Sequence, residues 1–82
     1  MTEQKSTLEK VKQIVAEIFK KDINEITEET KFVEDLHASS LDTIALLAGL
    51  EGEFKIKIPS EEVLGGKSIK DLVSFIEENL KG

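Results

Sequence analysis

Leu8, Val11, Ile14, Val15, Ile18 and Phe19 recur at helical spacing with charged and polar residues between them. The pattern predicts a one-faced amphipathic helix over residues 3–20. Residues 21–39 are mostly polar, and Ile23, Ile26, Phe32 and Leu36 are spaced too irregularly for a continuous helix. This segment reads as a long loop pinned to the core by those four side chains, with a short helical turn at Thr27, Glu28 and Glu29. A second helix starts at Ser39–Ser40 and runs to about Phe54, and Ser39 with Asp42 three residues later forms a capping-box pattern. Pro59 breaks the chain, and residues 60–64 read as a short helix with Ser60 as N-cap, ended by Gly65–Gly66. The last helix begins at Ser68 with Asp71 as a second cap pair. Its buried face is Ile69, Leu72, Val73, Ile76 and Leu80, and Lys81 lies where a helix C-terminus favours a cation. Residues 54–59 alternate in polarity but have no partner strand and read as a connector. The expected fold is all-α, a small bundle of three main helices plus one short helix.

The second helix has two apolar faces. With about 100° per residue, Ile44, Ala45, Ala48 and Gly52 fall within about 60° of Leu41. Leu46, Leu47, Leu50 and Phe54 gather on the opposite side, near 190° by the same geometry. The stripe with the larger side chains is assigned to the core. Leu41, Ile44, Ala45 and Ala48 then form an exposed apolar patch flanked by Asp42 and Glu51, the anatomy of a docking surface. The competing reading is a central helix buried on every side.

At 82 residues the chain is expected to form one domain, residues 1–82. Its core is modest and leaves little room for a deep active site, so presentation or binding is favoured over catalysis. Seventeen acidic and 11 basic residues give a net charge of −6, and every basic residue is lysine. This balance disfavours nucleic acid and suits partners with basic surfaces. With no cysteine, disulfides, thiolate metal sites and cysteine nucleophiles are excluded, and any thiol must come from a prosthetic group. No EF-hand loop pattern occurs, and no metal is expected. A polar, charged start without an apolar signal core, and no membrane-spanning stretch, give a cytoplasmic expectation.

Ser39 and Ser40 stand where the long loop enters the second helix. A serine there is ordinarily a cap. The free N–H groups and dipole of a helix start also tolerate an attached anion.

The run Asp35-Leu36-His37-Ala38-Ser39-Ser40-Leu41-Asp42-Thr43-Ile44 resembles the attachment motif of acyl carrier proteins, which typically reads Asp-Leu-Gly-Ala-Asp-Ser-Leu-Asp-Thr-Val. The likeness continues through Leu50-Glu51, Glu53-Phe54, Ile58-Pro59 and Glu61-Glu62, and covers nearly the whole chain. The resemblance implies that Ser40 accepts a 4′-phosphopantetheine arm, moved from coenzyme A by a magnesium-dependent phosphopantetheinyl transferase. The arm would hold acyl groups as thioesters and deliver them to acyl-processing enzymes such as synthases and acyltransferases. It further implies docking through Leu41, Asp42, Ile44, Ala45, Ala48 and Glu51, a bundle that opens to shelter the acyl chain, a monomer, and a carrier and not an enzyme. The chain departs from the family at several positions. Ser39 replaces an aspartate, His37 a glycine, Ala45 and Gly52 common acids, and Lys55 and Lys57 polar or acidic residues. These changes make the surface less acidic and point to a specialised pathway within fatty-acid or related lipid or polyketide synthesis. A peptidyl or D-alanyl carrier and an unmodified helical subunit are the alternatives.

Overall fold

The computed structural model describes residues 6–80. The first helix, α1, spans Thr7–Phe19; Ser6 caps it, its hydroxyl accepting the Glu9 N–H at 3.2 Å. With Ser6 as its cap the described helix begins at Thr7, within the span expected over residues 3–20, and residues 3–5 of that span lie outside the described residues. Val11 and Val15 are fully buried, and the helix ends at Lys20 in the left-handed region, φ 56°.

Between residues 21 and 39 the chain forms tight turns in place of a featureless loop. A 3₁₀ turn at Ile23–Glu25 is capped by Asp22, whose carboxylate accepts from the Asn24 N–H. The expected helical turn at Thr27, Glu28 and Glu29 is a hydrogen-bonded turn closed from the Thr30 N–H to the Thr27 carbonyl at 3.1 Å. Ile26, Phe32 and Leu36 are buried as expected, but Ile23 is not, because its 3₁₀ turn lies at the surface. An isolated antiparallel bridge joins Lys31 to Ser68 and ties this segment to the start of the last helix.

The second helix, α2, spans Ser40–Phe54. The capping box is complete: the Asp42 N–H donates to Ser39 Oγ and the Ser39 N–H to Asp42 Oδ2, both at 3.1 Å. Leu46, Leu50 and Phe54 are buried and Leu47 is half-buried, joined by Thr43, whose hydroxyl donates to the Ser39 carbonyl. Gly49 faces α1, where an added Cβ would make ordinary contact with Ile14 Cγ2 at 3.4 Å.

After the connector, the short element is a 3₁₀ turn at Ser60–Glu62, not an α-helix reaching residue 64. Pro59, not Ser60, is its cap residue, and there is no side-chain cap. The Ser60 carbonyl closes the turn, accepting from the N–H groups of Val63 and Leu64. Gly65 and Gly66, with φ of 72° and 83°, reverse the chain. The third helix, α3, spans Ile69–Leu80 and buries Ile69, Leu72, Val73 and Ile76. Leu80, expected in this face, is half exposed, because the core ends one turn earlier. Lys81 lies outside the described residues.

Both α2 and α3 pack on α1, and the 60–62 turn bridges α2 to α3. The shared central element is therefore α1. This leaves one face of α2 without a neighbour and rules out the reading in which α2 is buried all round. No helix among the described residues is long and apolar enough to cross a membrane.

Candidate functional site

The loop-to-helix junction is held from both sides. The Ala38 N–H donates to the Phe32 carbonyl at 3.0 Å, anchoring the approach to the core. His37 sits at φ 55°, a conformation that favours glycine and costs a residue with a Cβ about 1–2 kcal/mol. Its side chain is exposed.

The two serines at this junction have different roles in the fold. The Ser39 hydroxyl is committed to the cap. Ser40 is exposed and, among the described residues, its hydroxyl has no protein partner. The N–H groups of Ser40 and Leu41 open the helix and likewise find no protein acceptor among the described residues. An anion attached at Ser40 Oγ would meet these donors and the positive end of the helix dipole.

Beside Ser40 lies a mostly apolar cleft of about 280 Å³. The first turn of α2, with Thr43 and Ile44, forms one wall; Ser60 and Leu64 form the other. Sequence reasoning missed Ser60, Thr43 and Leu64. Thr43 lies on the core side of the wheel, and the Leu64 signal was slight, an apolar residue outside any helical period just before two glycines.

Leu41 and Ile44 project into solvent with 78% and 64% of their surface exposed, too much for core residues. Ala45 and Ala48 are exposed beside them, and Asp42 stands at the edge. Glu51 is half-buried, with one oxygen bound to the Ile58 N–H at 2.8 Å. Four of the six expected docking residues, Leu41, Ile44, Ala45 and Ala48, thus share one exposed face, with half-buried Asp42 and Glu51 at its margins.

A phosphopantetheine group fits these residues. The exposed hydroxyl could supply the ester oxygen, the helix start would receive the phosphate, and the cleft would offer apolar shelter. When bound, the group supplies the thiol that this cysteine-free chain lacks.

Comparison with known proteins agrees with this geometry. The family model described as the phosphopantetheine attachment site matches residues 9–76. An acyl carrier protein of Helicobacter hepaticus is 47% identical over 73 residues, covering 89% of this chain and 96% of the relative. One from Thermosynechococcus vestitus is 42% identical over 77 residues, covering 94% and 95%. One from Rickettsia canadensis is 41% identical over 70 residues, covering 85% and 81%. The chain therefore belongs to the acyl carrier protein family: it is a carrier and not a catalyst, and its prosthetic group is covalently attached 4′-phosphopantetheine.

Proposed function

We propose that Ser40 carries the arm, and that the protein holds acyl intermediates as thioesters on the arm's thiol. The arm is installed by a phosphopantetheinyl transferase. The loaded carrier is then read by acyl-processing enzymes through Leu41, Asp42, Ile44, Ala45 and Ala48, with Glu51 at the margin. The observation that carries the reading is the exposed, unpartnered Ser40 hydroxyl at the start of α2 and at the mouth of an apolar cleft. Ser39 is the lesser candidate because modification would remove the helix cap. The same reading has the chain working as a single carrier domain, monomeric, in the cytoplasm.

The pathway in this reading is a specialised branch of fatty-acid, lipid or polyketide synthesis. Its support is the composition of the docking face, where Ala45 and Gly52 carry no charge. Charges at the margin of an interface set on-rate and exclude wrong partners.

Two measurements test the proposal. Intact mass of the protein isolated from its own cell should equal polypeptide plus arm plus an acyl group; a bare polypeptide mass contradicts the carrier role. The triple variant Ser39→Asp/Ala45→Glu/Gly52→Glu should be elongated faster than the wild type by standard fatty-acid-synthesis enzymes, with a steeper salt dependence. Equal rates for the wild type and a housekeeping carrier would remove the specialised branch and leave the carrier role standing.

A further inference from the structure

The exposed stripe of α2 continues beyond the neutral patch of Leu41, Ile44, Ala45 and Ala48. Leu41, Ile44 and Ala48 follow one another at steps of three and four residues, and at about 100° per residue the same line reaches Lys55, about 40° from Leu41. Lys55 is the residue that closes α2, in the left-handed region at φ 58°. Lys57 follows two residues later, and both lysines are exposed.

The carboxylates of this half of α2 are turned elsewhere. Glu51 Oε2 is bound to the Ile58 N–H. Glu53 pairs with Lys10 at 3.5 Å, on the side that faces α1. Among the described residues no carboxylate lies within ion-pair distance of Lys55 or Lys57. A chain of net charge −6 thus carries two exposed lysines without an ion-pair partner among the described residues, one closing α2 and one just beyond it.

Gly52 lies on the same stripe, and a Cβ there would meet nothing within 4 Å. Its backbone is ordinary helix, so neither packing nor conformation demands glycine, which weakens a helix interior. The missing side chain leaves bare helix surface next to Lys55, where another molecule can come close.

The opposite end carries one carboxylate at the edge of the stripe, Asp42 in the first turn of α2, about 100° round from Leu41, with one oxygen accepting the Ser39 N–H. Thirteen residues at 1.5 Å rise place Asp42 about 20 Å from Lys55. That exceeds twice the screening length of about 8 Å at physiological salt, so a partner senses the two ends separately.

We infer that Lys55 and Lys57 are the specificity end of the docking face, read by carboxylates on an acyl-processing enzyme that also offers an apolar socket to Leu41 and Ile44. The inference rests on the carrier function proposed above and names the chemistry of the partner. Opposite charges at the two ends give the face a direction: docked the wrong way round, it would set like charges together. A cation at a helix C-terminus also stabilises the helix dipole, which accounts in part for Lys55 but not for Lys57. Lys20 is the matched comparison, because it closes α1 in the same left-handed conformation, φ 56°.

The test uses the full chain loaded with its arm, with loading on Ser40 confirmed first by mass. Wild type, Lys55→Glu/Lys57→Glu and Lys20→Glu/Lys21→Glu are compared as substrates of the purified condensing enzymes and acyltransferases of the source cell. The probe is whichever enzyme gives the wild type its highest kcat/KM. At low salt the 55/57 variant should lose about tenfold in kcat/KM, carried by KM, and the loss should shrink at high salt. The 20/21 variant, with the same change in net charge, should stay within about twofold. Changing a partner carboxylate to lysine should restore the 55/57 variant. Melting temperatures of both variants show whether the fold is intact, and a loss confined to a less stable variant at every salt counts against the inference. An unchanged or raised rate for the 55/57 variant, or an equal loss in the 20/21 variant, overturns it while loading and acylation keep the carrier role intact. Failure of loading itself overturns the carrier role and the inference with it.

Discussion

Glu51 reaches back past the end of its own helix to Ile58: its Oε2 accepts the Ile58 backbone N–H at 2.8 Å, seven residues along the chain. Ile58 is 4% exposed, so this N–H has little access to water. The bond ties α2 to the stretch that leads through Pro59 to the Ser60 and Leu64 wall of the cleft.

Glu51→Ala should therefore destabilise the protein by about 1–2 kcal/mol, the size expected when a poorly hydrated donor loses a charged acceptor. Glu51→Gln keeps an acceptor oxygen and should lose less. Amide hydrogen exchange at Ile58 is the direct readout. It should quicken in Glu51→Ala, and an unchanged rate would mean that the bond does not hold the connector.

The two faces of α2 predict opposite responses to truncation. Leu50 is fully buried, and Leu50→Ala should cost about 2–5 kcal/mol. Leu41→Ala and Ile44→Asp change side chains that stand mostly in water and should shift stability by no more than about 0.5 kcal/mol. Urea unfolding of the three variants checks this, and comparable losses on both faces would contradict the assignment of Leu41 and Ile44 to the surface.

Much of this arrangement was legible in the sequence because it follows from periodicity and caps. The Ser39–Asp42 box, the core triplet Leu46, Leu50 and Phe54, and the outward Leu41 and Ile44 all follow from local spacing. The motif around Ser40 and the family were also legible, through resemblance. The missed features depend on contacts between distant parts of the chain. Ser60 looked like an N-cap from its neighbours Glu61 and Glu62, but Pro59 before it takes that position and the turn tightens to 3₁₀. Leu64 lines the cleft from beyond the 60–62 turn, just before the positive-φ pair Gly65 and Gly66, in a position no local period indicates. Glu51 read as a marginal docking charge, since no local pattern reveals a hydrogen bond to a residue beyond the end of the helix.

Asp71 gives the stability a pH dependence. Its carboxylate accepts the Ser68 N–H at 3.0 Å, and this bond lowers its pKa. Desolvation opposes the effect, while the Ser68 hydroxyl and the charges of Lys67 and Lys70 reinforce it. A carboxyl whose pKa is lower in the folded state stabilises that state when ionised. The contribution is complete above the unfolded-state value of about 4 and is lost as pH falls from there through the lower folded-state value. Asp71→Asn should be less stable than the wild type at neutral pH, with the gap closing in that acid window. Denaturant midpoints measured across pH check this, and a gap independent of pH would assign the effect to something other than the charge.

The most direct test of the carrier account is the intact mass of the purified chain after incubation with coenzyme A, magnesium and a phosphopantetheinyl transferase. The account predicts that the wild type gains one phosphopantetheine arm and that Ser40→Ala gains none. Ser39→Ala should still gain the arm, while losing about 1 kcal/mol of stability with its helix cap. An arm on Ser40→Ala, or loading blocked by Ser39→Ala alone, would contradict the assignment of Ser40. A wild type left at its polypeptide mass would contradict the account as a whole.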